Sequence, residues 1–272
     1  MITTERLSSP QMTKSDYTFG DSEQASARLH RLAELYEQET RELLQLGHVQ
    51  RPHLAVDLGC GPGWSTRLIQ EVLQPDRTMG LDVSERYIAA ARRNHRSGLE
   101  FEVHDIVRAP FPVRGEPEVL FCRFLLTHLR SLTAVLATWA SIAGPNAILF
   151  VHETESLETE HPALRRYYDL VAELQQHYGQ TLLVGSILDS SFAGTGWHIV
   201  ESIRRILEKP ASRMAELHLA NLRTWCQDKY ASAAFDPNEI DSLEASLARI
   251  AQGVEKAGIV INAARQVIAK RV

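Results

Sequence analysis

From Leu54 to Glu153 the chain alternates short apolar runs with stretches of helical periodicity, and this alternation narrows the fold more than any single motif. The runs are LAVDL (Leu54–Leu58), TMGLD (Thr78–Asp82), LEFEVHD (Leu99–Asp105), PEVLFCRF (Pro117–Phe124) and AILFVHE (Ala147–Glu153). Between them, Leu68, Ile69, Val72 and Leu73 mark one helix, and Tyr87, Ile88 and Ala91 a second, for which Ser84 is the expected N-cap. Leu129, Leu132, Leu136 and Trp139 mark a third, which the spacing starts at His128. Strands separated by helices of this length pair in parallel and are covered on both faces. An α/β fold follows, with ligands at the carboxyl ends of the strands.

The flanks are more helical. Leu29, Leu32, Tyr36 and Leu43 predict one amphipathic helix over roughly residues 22–46. Beyond Glu153, Leu164, Tyr167, Val171 and Leu174 mark a helix, His198–Leu207 reads as a strand, and Ile240, Leu243, Leu247, Ile250 and Val254 trace a further helix. A last strand lies within Gly258–Val272. There is no repeat or low-complexity linker. The expected organisation is an N-terminal lid segment, 1–46, and a core, 47–272, with helical insertions near 158–180 and 210–255 capping the sheet.

The 272 residues, 44% of them hydrophobic, suffice for one elaborated domain. A net charge of -5 argues against a broad nucleic-acid footprint and favours a small-molecule or protein substrate. No run approaches the roughly 18 apolar residues of a membrane span. Cys60, Cys122 and Cys226 form no CxxC pair and read as free thiols. With an opening that lacks a signal peptide's apolar core, they point to the cytoplasm. A homodimer is compatible with the composition.

The first apolar run ends in VDLGCGPGWST (Val56–Thr66), with glycines at 59, 61 and 63. A GxGxxG dinucleotide turn needs its third glycine where Trp64 stands, and there is no GK[ST] of a P-loop. Asp82 ends the second strand, 19 residues beyond Gly63, where a carboxylate can accept from two ribose hydroxyls. Asp57 could orient the turn or meet a cationic ligand group. An ammonium-bearing amino acid beside a ribose, with no phosphate between, satisfies both.

The chain here resembles the class I S-adenosylmethionine-dependent methyltransferases of bacterial small-molecule type. The resemblance rests on VDLGCGPG, GLDVSERYIAAAR, FEVHDIVRAPFP, VLFCRFLLTHL and AILFVHE in that order, and on a leader, Tyr17–Thr40, with a tyrosine, a glycine and an Arg-Leu pair. It implies a Rossmann-like seven-stranded sheet, mostly parallel with the last strand antiparallel, and S-adenosylmethionine as cofactor with S-adenosylhomocysteine as product. It implies that Asp57, Gly59, Cys60, Gly61 and Gly63 line the methionine half, that Asp82 and Val83 meet the ribose, and that Asp105 and Ile106 flank the adenine. Tyr17 and Arg28 of the leader join them, and Arg123 sits beside the sulfonium, turned toward a carboxylate.

Three residues at the strand ends are candidates for catalysis. His128 follows the fourth strand, and His152 and Glu153 end the fifth, pointing to opposite faces. His104 reads as structural, inside the third strand. Tyr167 and Tyr168 suit either core packing or an aromatic wall. No metal site is expected. The chemistry implied is in-line methyl transfer to an oxygen, nitrogen or carbon of a small metabolite. The rival readings are a tRNA or protein methyltransferase and a non-catalytic cofactor-binding partner.

Overall fold

The computed structural model describes residues 21, 23–95 and 98–272. Tyr17 lies outside them. The strands are β1 (Leu54–Leu58), β2 (Arg77–Asp82), β3 (Leu99–Val103), β4 (Val119–Arg123), β5 (Ile148–Glu158), β6 (Trp197–Pro210) and β7 (Ile259–Arg271). They form one sheet in the order β3-β2-β1-β4-β5-β7-β6. β7 runs antiparallel to both neighbours, and the pairings among β1 to β5 are parallel.

The helices are α1 (Glu23–Leu35), α2 (Glu37–Leu46), α3 (Trp64–Leu73), α4 (Glu85–Asn94), α5 (Leu132–Ile142), α6 (Pro162–His177), α7 (Leu188–Ser191), α8 (Ala211–Trp225), α9 (Lys229–Ala234) and α10 (Pro237–Ala251). Ser84 caps α4 by accepting from the Tyr87 amide at 3.2 Å, as expected. Successive β1 residues serve opposite faces, as the two-residue strand period requires. Leu54, Val56 and Leu58 pack with Leu136 and Trp139 of α5, while Ala55 packs with Leu43 and Leu44 of α2 and Leu68 and Ile69 of α3. A further apolar core joins α6, α8, α9 and α10 to Val260 of β7, which makes these helices a cap with an interior of its own.

Three expectations change. The single helix over residues 22–46 is broken at Tyr36, because Lys209 of β6 reaches in: its ammonium donates to the Leu35 carbonyl at 2.7 Å and to Glu39 at 2.6 Å, and lies 4.7 Å over the Tyr36 ring. The stretch at His128 does not begin a long helix. It closes a single 3₁₀ turn, Leu126–His128, and α5 starts at Leu132. β5 and β6 also run further than their apolar runs, since β7 pairs with β5 out to Glu158 and with β6 out to Pro210. His104 lies just past β3, where a ring nitrogen meets the Arg108 carbonyl at 2.9 Å. Cys60, Cys122 and Cys226 are free. No helix among the described residues is long and apolar enough to cross a membrane.

Candidate active site

The turn after β1 is sewn onto β2 by its backbone. The Gly59 and Cys60 amides both donate to the Leu81 carbonyl, at 2.8 and 2.9 Å, and the Gly61 amide donates to Asp82 Oδ2 at 2.9 Å. Gly59, Gly61 and Gly63 have φ of +70°, +52° and +89°, the left-handed region that glycine enters without strain. A Cβ on Gly61 would find only Leu29 Cδ1, at 3.3 Å, and Gly61 itself lines a cavity, so this backbone is bare where a ligand would approach. Gly80 matters equally. A Cβ there would strike Cys60 Sγ and Phe101 at 2.8 Å, so β2 must be bare where the turn folds over it.

Asp82 holds both sides of that junction. Oδ2 takes the Gly61 amide and Oδ1 the Ser84 amide at 2.8 Å. Each oxygen keeps a lone pair for a ligand hydroxyl. Burial raises its pKa to about 6, against the two amide bonds that stabilise the charge. Val83, Asp105 and Ile106 line the same cavity. Arg108 holds Asp105 at 3.1 Å, and the Trp139 indole pins the Ile106 carbonyl at 2.9 Å.

Asp57 takes the first of its two expected roles, orienting the turn. It does not line the cavity. Its Oδ2 accepts from Ser65 and Thr66 at 2.7 and 2.6 Å, which ties β1 to the first turn of α3, and burial raises its pKa to about 6. Arg123 does turn, but its guanidinium donates to the Thr40 hydroxyl at 2.8 Å and reaches the Tyr36 carbonyl at 3.5 Å rather than a carboxylate. Burial lowers its pKa to about 10, and Asp57 is foremost among the charges opposing that shift.

The residues after β4 are held by Glu153. Phe124 takes φ +52°, strained for a side chain of its size, and the next two amides, Leu125 and Leu126, both donate to Glu153 Oε1 at 2.8 Å. Glu153 Oε2 is buried and makes no hydrogen bond among the described residues, although Glu153 lines the cavity. Burial raises its pKa to about 8, which the amide bonds only partly oppose. His128 lines the cavity as well, but burial, with a smaller contribution from Arg28, lowers its pKa to about 3. His152 points the other way, as the strand alternation predicts. Its ring packs against Tyr36 and Phe124, burial holds its pKa well below the usual range, and it is absent from the cavity wall.

The cavity, about 310 Å³, continues from the glycine turn to a chamber beneath the cap. Met214, Leu217, His218 and Asn221 line it from one face of α8, and Tyr167, Tyr168, Val171 and Gln175 from one face of α6. Tyr168 and His218 are hydrogen-bonded at 2.9 Å, and the Tyr167 ring stacks on His218 at 4.3 Å. Arg28 donates to Asn221 at 2.6 Å, and Asn262 of β7 donates to the Tyr36 hydroxyl at 3.0 Å. The two tyrosines are thus both core and wall. His218, Asn221 and Asn262 escaped the sequence analysis. Their one signal is the helical spacing 214, 217, 218, 221, which mixes polar residues into an inward face.

Residues 55–146 match a family model described as a methyltransferase domain. Over that stretch, about a third of the chain, the sequence is similar to methyltransferase domains. The trans-aconitate 2-methyltransferase of Methylobacterium nodulans is 33% identical over 126 residues, 46% of this chain and 48% of that protein, so the match spans about half the length of such relatives. Among solved structures, a proposed methyltransferase of Bacillus halodurans superposes with a TM-score of 0.59 at 13% identity, covering 86% of this chain and 98% of that one. Geranyl diphosphate C-methyltransferase of Streptomyces coelicolor, solved with S-adenosyl-L-homocysteine, gives 0.52 at 14% identity, covering 94% and 87%. At these identities the likeness establishes a shared fold.

Proposed function

We propose that this protein transfers a methyl group from S-adenosylmethionine to a small-molecule acceptor held beneath the cap. The observation that carries the reading is one continuous cavity, walled at one end by Gly59, Gly61, Asp82 and Asp105 and at the other by Glu153, Tyr167 and His218. The cofactor, when bound, supplies an electrophilic methyl group on a sulfonium. The chain's own residues do the rest. The bare turn admits the amino-acid half, Asp82 accepts from the ribose hydroxyls, and Asp105 accepts from the adenine amine. α1, α6 and α8 exclude water from the acceptor and fix its approach, which is the main requirement for an in-line displacement.

Where the acceptor must lose a proton, Glu153 takes it. A carboxylate whose pKa lies near 8 accepts a proton far more readily than an imidazole near 3. His128 is therefore assigned to the wall. A polymeric RNA or protein acceptor fits less well than a small molecule, because the chamber lies under α6 and α8 rather than along an open groove.

Calorimetry tests the cofactor half. The wild-type protein should bind S-adenosylmethionine and S-adenosylhomocysteine. Asp82→Ala should weaken both by about tenfold or more, the loss of roughly 1.5–3 kcal/mol of charge-assisted hydrogen bonding. Unchanged affinity would remove Asp82 from the ribose. Catalysis itself is tested by S-adenosylhomocysteine released from a metabolite extract; a protein that binds the cofactor and never turns it over is a binding partner instead.

A further inference from the structure

The chamber is rich in polar atoms but poor in positive charge. His218 Nδ1, Gln175 Oε1, Asn262 Oδ1 and Glu153 Oε2 are all buried on lining residues, and each makes no hydrogen bond among the described residues. The Tyr167 hydroxyl lies with them, interacting with Asn221 and Trp225. Buried polar groups left unmet are costly, so four in one wall mark places where a ligand supplies the partners. Three belong to side chains that are neutral around pH 7, with His218 kept uncharged because burial lowers its pKa to about 3. The fourth is the Glu153 carboxyl.

The charges point the same way. Among the described lining residues the guanidinium groups are those of Arg28 and Arg123, and Arg123 is directed at Thr40 of α2 and the Tyr36 carbonyl that precedes it. Against them stand Asp21, Asp82, Asp105 and Glu153. A ligand with two or three carboxylates would lose its hydration here with only Arg28 in the chamber to replace it, at a large cost for each further charge. The remaining wall is ring and hydrocarbon, with Tyr36, Phe124 and the Tyr167–His218 stack beside Leu157 and Met214.

We propose that the acceptor is a hydroxylated aromatic molecule carrying no more than one negative charge, seated against the Tyr167–His218 stack with a hydroxyl toward Glu153, and that polycarboxylates are excluded. This rests on the methyltransferase reading. In the transfer, the acceptor hydroxyl gives its proton to the Glu153 carboxylate and an oxygen lone pair to the methyl carbon, whose former bonding pair stays on sulfur. A phenol suits a weakly basic chamber better than an alkanol, because its hydroxyl is the more acidic.

The test uses the full chain saturated with S-adenosylhomocysteine, titrated by calorimetry with catechol, 4-hydroxybenzoate and trans-aconitate as probes. A phenol should bind, and trans-aconitate should not. His218→Ala should weaken the phenol by about tenfold or more and leave S-adenosylhomocysteine affinity unchanged. Tyr167→Phe, which removes one oxygen and keeps the ring, should weaken it by a smaller factor and guards against a misfolded first variant. Tighter binding of trans-aconitate, no binding of either phenol, or phenol affinity indifferent to both substitutions overturns the proposal. Failure of the wild-type protein to bind S-adenosylhomocysteine is a separate result, and it removes the methyltransferase reading itself.

Discussion

The two ends of the cavity are built from different material. At the end proposed for the cofactor the site is shaped by backbone amides: those of Gly59 and Cys60 donate to the Leu81 carbonyl, and those of Gly61 and Ser84 converge on the Asp82 carboxylate at the end of β2. At the acceptor end the wall is made of side chains from α1, α6, α8 and β7. Its contacts join residues distant in sequence, such as Arg28 with Asn221, Tyr168 with His218 and Asn262 with Tyr36. A site made of backbone leaves a spacing in the sequence, because only glycine permits its turns. A site made of side chains on helices leaves no fixed spacing and is free to change its ligand without disturbing the turn.

That contrast can be broken most sharply at Glu153, which belongs to the acceptor end. Glu153→Gln keeps an oxygen for the Leu125 and Leu126 amides and removes the base, so kcat should fall by about 10²- to 10⁴-fold while S-adenosylhomocysteine affinity holds. The wild-type rate should rise with pH through about 8, since the acid form already carries its proton and only the carboxylate can accept one. That limb should vanish in the variant; a limb that persists assigns the base elsewhere.

Gly61→Val should do the opposite. A branched side chain there projects into the cavity, so cofactor affinity should drop by roughly 10- to 100-fold in calorimetry from the blocked space, while the strain of φ +52° costs about 1–2 kcal/mol of fold stability. Equal affinity in the variant would mean that the ligand does not lie on the turn.

The smallest effect concerns the leading helices. We expect hydrogen exchange of α1 amides to slow a few-fold on binding S-adenosylhomocysteine, since Leu29 and Leu32 face the cavity. α2 should not respond, because Thr40, Leu43 and Leu44 are already buried and Arg205 and Gln266 hold the helix to β6 and β7 at 2.6 and 3.1 Å. The movable part of the lid then ends at Tyr36 rather than at residue 46. Equal slowing of both helices would make them one unit.

The same contrast explains what could be read from the sequence. The five motif strands and the two turns that hold Asp82 were legible, since each depends on neighbours within a few residues. The break at Tyr36 was not, because apolar spacing runs straight through Leu32, Tyr36 and Leu43, and the interruption comes from Lys209 on β6. Nor was the extension of β5 through TESLE, a polar stretch that is a strand only because β7 pairs with it. Nor was the difference between His128 and Glu153, because burial lowers the pKa of an imidazole and raises that of a carboxyl, and burial under a cap leaves no local pattern.

β7 lies between β5 and β6 and carries Asn262 into the chamber. Until that strand is made, β6 lacks the neighbour it has in the folded sheet and the cap lacks its anchor at Val260. During synthesis, the end of the cavity proposed for the acceptor is thus the last to be completed.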